Sequence, residues 1–377
     1  MTGGGGLALC GDFHREVVAP LVARTLPGTP YAAALIGAGS EVLGFDDATS
    51  TDHDWAPRVQ LLLPDDAATQ PAAALRAALD EALPDTFGGY PVWIGSSDPG
   101  AGDDGGAVPR PAPVRHRVEV TTLRTWMTDW FGRDLSSPWT PVDWLATPLQ
   151  RLAGFMGGAV FHDDVGELSG ARAFLAWYPD DVWRYLLASQ WQRIAQLEPF
   201  TGRTGDVGDD RGSRLIAASL VRDLMSLAFL IERRYAPYPK WFGSAFDRLT
   251  LAAEMGPMLD AALAASDWPD REVAVAAACS RLVVATNDLG LAAPVDGTPH
   301  GFYDRPYTVI GAENVRIALD AAITDPSVRA VIARAGWVGG IDQLSDNVDL
   351  LTRTGRSAAI RRLWTDLESD EDEDVDD

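Results

Sequence analysis

The feature that most constrains the fold is a short apolar run that ends in a glycine turn. Residues 31–36 are apolar and bounded by turn residues, which predicts a buried strand. Gly37, Gly39 and Ser40 follow at once. Glycines let backbone N–H groups approach an anion without a Cβ in the way, and the serine adds a hydroxyl donor. The order of strand and turn therefore predicts a unit that can hold a phosphate group.

Two aspartates follow this turn with one residue between them. Asp52 and Asp54 supply the hard oxygen ligands that magnesium prefers. Residues two apart on a strand face the same side, about 6.6 Å from each other, so two ionised carboxylates there repel by roughly 2.5 kcal/mol at an effective dielectric of about 20. A bound divalent cation removes that penalty. The alternative is a solvated pair of aspartates at a strand end, and the preceding glycine turn favours the metal site.

A third carboxylate lies further along the chain. Residues 114–122 alternate enough to predict a strand with valines on one face and Glu119 on the other. A carboxylate within an otherwise apolar strand needs a partner, and the metal expected at Asp52 and Asp54 is one. The alternative is a surface-facing glutamate on an edge strand.

Composition bounds the class of partner. The 377 residues suggest two domains, and the net charge of -23 argues against a nucleic-acid groove, because phosphate backbones need a basic face. A nucleotide whose charge is carried by magnesium stays compatible with this charge. Only two cysteines occur, Cys10 and Cys279, so neither disulfides nor a zinc cluster are indicated and the cytoplasm is the expected compartment. The start lacks a signal peptide pattern, and residues 215–231 make a poor membrane span, so no membrane partner is expected.

Lys240 is the single lysine among 31 basic residues. A chain this biased towards arginine that keeps one lysine is expected to use the compact ammonium there, as a flexible contact to a phosphate. The alternative, that one lysine survived by chance at a helix start, stays open.

The pattern along the chain predicts an α+β protein with a sheet domain first and a helical domain second. The expected division is a disordered leader over 1–6, a sheet domain over 7–138, a helical domain over 139–365 and a disordered acidic tail over 366–377. Residues 96–113 are expected to form a long loop, either a plain insertion or a lid. Helices are predicted over 7–26, 71–83, 148–161, 169–178, 180–197, 211–235, 246–265, 271–288, 312–323 and 327–335, and further strands over 59–63 and 91–94.

The motifs together resemble the polymerase-β-like nucleotidyltransferase superfamily. The resemblance rests on residues 39–44, on the aspartate pair and on the later strand carboxylate. It implies a mixed sheet flanked by helices and a triphosphate held by Gly39 and Ser40. It also implies two Mg²⁺ ions bound by Asp52, Asp54 and Glu119.

A narrower resemblance covers more of the chain. The sequences over 39–55 and 234–241 resemble a bacterial family of uncharacterised proteins in this superfamily. His53 departs from the superfamily pattern, which usually has an apolar residue there. The narrower family implies no particular substrate.

The reaction implied by this resemblance is nucleotidyl transfer. A nucleoside triphosphate, expected to be ATP, would give its nucleoside monophosphate to a hydroxyl of a small molecule or protein, with release of pyrophosphate. The helical domain would bind the acceptor, as in the similar aminoglycoside nucleotidyltransferases. Asp223 and Glu232 are weak candidates for the general base, with surface or capping roles as the alternative. The rival interpretation is a non-catalytic nucleotide-binding regulator, or an antitoxin-like partner that modifies another protein.

Overall fold

The computed structural model describes residues 5–47, 56–95 and 114–366, which divide between two compact units. The first unit takes the described residues up to 137 together with 151–176, and the second takes 138–150 together with the described residues from 177 onward. The predicted boundary between 138 and 139 lies at the first of three points where the chain passes from one unit to the other. Residues 151–176, assigned from the sequence to the second domain, belong to the first unit.

Three predicted irregular segments fall largely beyond these ranges. The loop over 96–113 lies outside the described residues, as do the leader up to residue 4 and the acidic tail from residue 367. Their predicted character stays a prediction.

The first unit is built on a mixed five-stranded sheet, whose strands in spatial order are β5 (Trp93–Gly95), β6 (Val114–Thr122), β2 (Arg58–Leu63), β1 (Ala32–Leu35) and β7 (Ala159–Asp163). Strand β2 pairs in parallel with β6, and the other pairings in this sheet are antiparallel. The predicted strands over 31–36, 59–63 and 114–122 are confirmed. The strands of the first unit are β1 (Ala32–Leu35), β2 (Arg58–Leu63), β3 (Thr86–Phe87), β4 (Tyr90–Pro91), β5 (Trp93–Gly95), β6 (Val114–Thr122) and β7 (Ala159–Asp163), of which β3 and β4 form a separate hairpin.

Helices cover the sheet of the first unit. One sheet face, with Val59, Leu61 and Val120, forms the main hydrophobic core together with apolar side chains of α2 (Ala19–Thr25) and α4 (Gln70–Ala82). The predicted helix over 7–26 is confirmed, although a π-helical segment, His14–Val18, interrupts it. The remaining helices of this unit are α1 (Gly6–Phe13), α3 (Ser40–Leu43), α5 (Leu123–Phe131), α8 (Glu167–Phe174) and the main part of α7 (Leu149–Met156).

The predicted helix over 148–161 is wrong at its end. It stops at Met156, and the chain then enters β7, which pairs with β1. Gly158 makes this change of direction with φ +63°, and an added Cβ would lie 1.8 Å from the carbonyl oxygen of Leu35. Only glycine fits there, so the Gly157-Gly158 pair ends the helix and starts an edge strand.

The described part of the second unit is helical apart from one short hairpin. With the sheet of the first unit, this confirms the predicted α+β class. Trp183, Leu187 and Trp191 lie at i, i+4 and i+8 on α9 (Asp180–Leu197), and all three are fully buried, so they form a packing stripe. No described helix of either unit is long and apolar enough to span a membrane. The elements are α6 (Pro141–Leu145), α9 (Asp180–Leu197), α10 (Phe200–Asp206), α11 (Asp210–Ile231), α12 (Phe242–Phe246), α13 (Ala252–Ala264), α14 (Trp268–Asp288), β8 (His300–Gly301), β9 (Thr308–Val309), α15 (Ala312–Ala322), α16 (Pro326–Ala335), α17 (Ile341–Leu344), α18 (Val348–Thr352), α19 (Thr354–Ile360) and α20 (Arg362–Thr365).

Candidate functional site

The predicted glycine turn lies at the end of β1. Gly39 has φ +143°, and Ser40 is the first residue of the four-residue helix α3. An added Cβ at Gly39 would lie 2.2 Å from Nη2 of Arg58, the end of a flexible side chain, so it is chiefly the backbone conformation that requires glycine. The turn is anchored by the N–H of Gly37, which donates to the carbonyl of Gly154 at 2.9 Å.

Arg58 ties the turn to the start of β2. Its guanidinium pairs with Glu41 at 2.6 Å and also donates to the carbonyl of Ala38, and both charged side chains are largely buried. This pair was not predicted from the sequence. The available signal was Glu41 inside the turn motif, because a glutamate beside an apolar strand end needs a cation. The pair holds the turn against β2 and leaves little net charge at that point.

Gln60 and Glu119 stand side by side in register across β2 and β6. The Gln60 side chain is buried and exchanges two hydrogen bonds with the backbone of Ile36, at 3.1 and 3.3 Å, just before the turn. Glu119 is exposed, two strands and therefore roughly 10 Å from β1. The same end of the sheet thus carries the glycine turn, the start of β2 and Glu119.

The environment of Glu119 favours its protonated form. Partial desolvation, and secondly the negative charge of Asp129 on α5, raise the pKa of the Glu119 carboxyl. The residue is nevertheless exposed, so it stays accessible to a cation. Asp129 was not identified from the sequence, where it looks like any exposed helical aspartate.

The two aspartates of the predicted metal site, Asp52 and Asp54, lie outside the described residues, as does His53 between them. In the chain they precede Arg58, the first residue of β2, by six and four positions. Within the ranges 5–47, 56–95 and 114–366, no three His, Cys, Asp or Glu side chains group closely enough to hold a metal ion. The predicted metal-ligand set therefore stays a prediction.

Lys240 belongs to the second unit. It lies in a single 3₁₀ turn, Pro239–Trp241, where the residue is exposed. Its ammonium nitrogen is 5.5 Å from the ring centre of Trp241. The predicted contact of Lys240 with a phosphate stays a prediction.

The two candidate bases have different surroundings, both in the second unit. Glu232 accepts hydrogen bonds from the backbone N–H groups of Thr250 and Leu251, which fits the capping role that the sequence left as its alternative. Asp223 is buried on α11, where it lines a cavity. It is therefore not a surface residue.

Comparisons with known proteins give a family match and a structural likeness. A family model described as a domain of unknown function (DUF4037) matches residues 144–242. No curated protein matches the chain. Among solved structures, a nucleotidyltransferase-like protein from Exiguobacterium sibiricum 255-15 is similar, with a TM-score of 0.32 and 9% identity over 85% of this chain and 91% of that chain. A TM-score this low carries no argument, and the site must be interpreted from its own residues.

Proposed function

We propose that the chain is a magnesium-dependent nucleotidyltransferase that moves a nucleoside monophosphate from a nucleoside triphosphate to a hydroxyl group. The observation that carries the proposal is the arrangement of the sheet: the Gly39-Ser40 turn, the start of β2 and Glu119 share one end of it. Asp52 and Asp54 precede the first residue of β2 by six and four positions in the chain, which supports the proposal.

The turn supplies the support for triphosphate binding. Gly39 is in a backbone conformation that favours glycine, and Ser40 follows, partly exposed, at the start of α3. Backbone N–H groups and a hydroxyl donor at such a turn suit the phosphate oxygens of a nucleotide. ATP is the proposed donor.

The carboxylates supply the support for a metal. Glu119 is exposed, and no described residue makes a hydrogen bond or ion pair with it, so its oxygens fit the hard ligand set that Mg²⁺ prefers. With Asp52 and Asp54 it would hold two Mg²⁺ ions, which when bound would neutralise the triphosphate and its leaving group. Asp129 adds negative charge beside Glu119 and would strengthen the attraction for a cation.

The transfer balances without a further reagent. An acceptor hydroxyl oxygen forms a bond to the α-phosphorus, the bond from that phosphorus to the bridging oxygen breaks, and pyrophosphate leaves while the hydroxyl proton passes to a base or water. The acceptor proposed is a hydroxylated small molecule or a protein, bound by the helical unit.

Two measurements test the proposal together. Binding of a fluorescent ATP analogue with and without Mg²⁺ reports the site, and pyrophosphate release reports turnover with hydroxylated acceptors or cell lysate, using each of the four triphosphates. The double variant Asp52→Asn, Asp54→Asn should reduce pyrophosphate release by at least about 100-fold, because a catalytic metal supplies several kcal/mol of transition-state stabilisation. Asp66→Asn makes the same kind of charge change on an exposed residue after β2 and should leave both readouts unchanged.

The outcomes separate the candidate functions. Magnesium-dependent binding without pyrophosphate release for any acceptor would favour the nucleotide-binding regulator. Absence of binding for every triphosphate, or binding that the double variant leaves intact, would contradict both interpretations.

A further inference from the structure

The second unit contains a cavity of about 590 Å³. Its walls come from residues 144–150, from α9 and α11, from the turn at 234–242 and from residues 340–351, all within this unit. The volume falls in the range typical of small-molecule sites. No motif in the sequence marks this cavity, because its walls come from segments far apart in the chain.

A carboxylate in the wall of this cavity has hydrogen-bond donors among the described residues on only one of its two oxygens. Asp223 is 5% exposed, and its Oδ1 accepts hydrogen bonds from Nε2 of Gln190 at 3.0 Å and from Nε of Arg193 at 3.1 Å. Its Oδ2 has almost no accessible surface, and none of the described residues donates to it, so a ligand donor reaches it only when neighbouring side chains move aside. A buried acceptor without a donor is costly, so native structures rarely leave one.

The surrounding side chains fix Asp223 in place. Gln343 donates to the side-chain oxygen of Gln190 at 2.9 Å and to the carbonyl of Leu186 at 3.0 Å. Arg193, besides contacting Asp223, donates to the carbonyl of Gln343 at 2.8 Å. The carboxylate therefore has a rigid support on one side, which is what a binding group needs to be preorganised.

The other lining residues suggest what the cavity accepts. Phe229 and Phe242 provide an apolar wall, with ring centres 5.3 Å apart. Arg222 and Asp346 pair at 2.5 Å and are both exposed, so they mark the opening, where Arg234 is exposed as well. Buried polar groups and apolar rings inside a charged rim are typical of sites for small polar molecules.

We propose that this cavity binds a small molecule that donates a hydrogen bond from an amine or hydroxyl group to Oδ2 of Asp223 and packs its carbon skeleton against Phe229 and Phe242. An amine adds charge attraction to the carboxylate, whereas a polyol gives the hydrogen bond alone. Under the proposed function, on which this inference rests, the cavity would hold the hydroxylated acceptor. Because binding is measured without nucleotide, its failure and a failure of nucleotidyl transfer are distinguishable.

The test is titration calorimetry of the full chain with donor-bearing probes. Glucosamine and other amino sugars present ammonium and hydroxyl groups, glucose and other polyols present hydroxyls alone, and succinate presents only acceptors. At least one amino sugar or polyol should bind at millimolar concentration, and succinate should not. Stronger binding of glucosamine than of glucose would identify the amine as the preferred donor.

Two variants locate the binding. Asp223→Asn replaces the acceptor at Oδ2 by an N–H donor. It should raise the dissociation constant of the probe by about 10-fold, or about 1.4 kcal/mol of binding free energy. Ser226→Leu adds volume to the cavity wall, leaves the Asp223 network intact, and should weaken the same probe as strongly. Asp260→Asn changes an exposed residue on α13 and is the matched control. This variant should bind the probe with the same affinity as the original chain.

Near-ultraviolet circular dichroism shows whether each variant keeps its tertiary packing. If Asp223→Asn does not fold, the effect of Ser226→Leu on probe affinity shows whether the probe binds in the cavity. Failure of every amino sugar and polyol to bind would overturn the proposal. Binding that both folded variants leave unchanged would overturn it as well.

Discussion

Gln60 of the first unit and Asp223 of the second are both buried polar side chains, but they differ in how completely they are hydrogen-bonded. In the first, the amide of Gln60 satisfies both of its groups by exchanging hydrogen bonds with Ile36, next to the glycine turn. In the second, Asp223 satisfies one oxygen and leaves the other without a described donor. A closed polar contact fixes backbone geometry, whereas an open one leaves binding capacity for a ligand. Gln60 therefore helps to shape the glycine turn, whereas Asp223 is itself available to bind a ligand.

The largest change in stability is expected from a substitution that disrupts the packing of Gly154 against the glycine turn. Gly154 faces Gly37, and an added Cβ would lie 2.5 Å from the carbonyl oxygen of Gly37. Gly154→Ala should therefore lower the free energy of unfolding by about 3 kcal/mol, because neither backbone can move away cheaply. Urea denaturation measures the change.

A glycine in open surroundings is the control for this variant. Gly170 of α8 has nothing within 4 Å of an added Cβ. Gly170→Ala should raise stability by about 0.5–1 kcal/mol, because alanine loses less backbone entropy in a helix. Equal effects of the two substitutions would contradict the close contact between Gly154 and the turn.

The next largest change is expected from removing the hydrogen bonds between Gln60 and Ile36. Gln60→Leu removes both hydrogen bonds to Ile36 and leaves a buried N–H without a partner, which should cost about 2 kcal/mol. Hydrogen exchange at the Ile36 amide should accelerate in the same variant. Gln70→Leu, on the exposed side of α4, is the matched control and should change stability by less than about 0.5 kcal/mol. Unchanged exchange at Ile36 would show that Gln60 does not hold this strand end.

The corresponding change in the second unit should be milder. Asp223→Asn keeps an acceptor oxygen for Gln190 and Arg193, loses the charge of the ion pair with the partly exposed Arg193, and removes the unpaired oxygen. Because a partly exposed ion pair contributes little, the variant without ligand should change the free energy of unfolding by about 1 kcal/mol or less. Thermal denaturation of the ligand-free protein checks this. A loss as large as that of Gln60→Leu would mean that Oδ2 already has a strong partner, and the contrast between the units would fail.

The smallest effect is a pH dependence from Asp342 in the same cavity. Burial raises the pKa of its carboxyl from 3.8 to about 7, although its Oδ2 accepts a hydrogen bond from the N–H of Leu149. The fold therefore favours the protonated form, and the stability contributed by this group is lost as the pH rises from about 4 to about 7. For a fully buried carboxyl a shift of about three pKa units would amount to about 4 kcal/mol; because this side chain is partly exposed, we expect only a fraction of it, about 1 kcal/mol or less.

Asp342→Asn should remove this dependence. Relative to the variant, the original chain should become less stable between about pH 4 and about pH 7 and then level off, as urea midpoints at a series of pH values would show. Asp260→Asn should follow the original chain at every pH. A difference of the opposite sign would contradict the raised pKa of Asp342.

Most of the secondary structure could be predicted from the sequence, because it depends on local periodicity. Helix α9 begins and ends where its pattern predicts, at Asp180 and Leu197. Strand β7 could not, because an apolar run such as 159–161 fits a helix or a strand, and pairing with β1 decides between them. The glycines at 157 and 158 were the available signal.

The candidate site also has parts that could be predicted from the sequence and parts that could not. The turn at Gly39 and the strand carrying Glu119 follow from residue patterns, and both elements are where the sequence indicated. The pair of Glu41 with Arg58 and the influence of Asp129 depend on which elements lie side by side, which a pattern does not contain. The cavity of the second unit was beyond sequence reasoning for the same reason.

The route of the chain between the units has a consequence for synthesis on the ribosome. Strand β1 pairs with β2 soon after it emerges, but its other edge must wait for β7, which is made more than about a hundred residues later. At about 5–20 residues per second this interval lasts on the order of ten seconds. Until then the nascent first unit exposes an apolar strand edge that can pair with another chain. Protection of this edge by chaperones during translation should therefore influence the yield of folded protein.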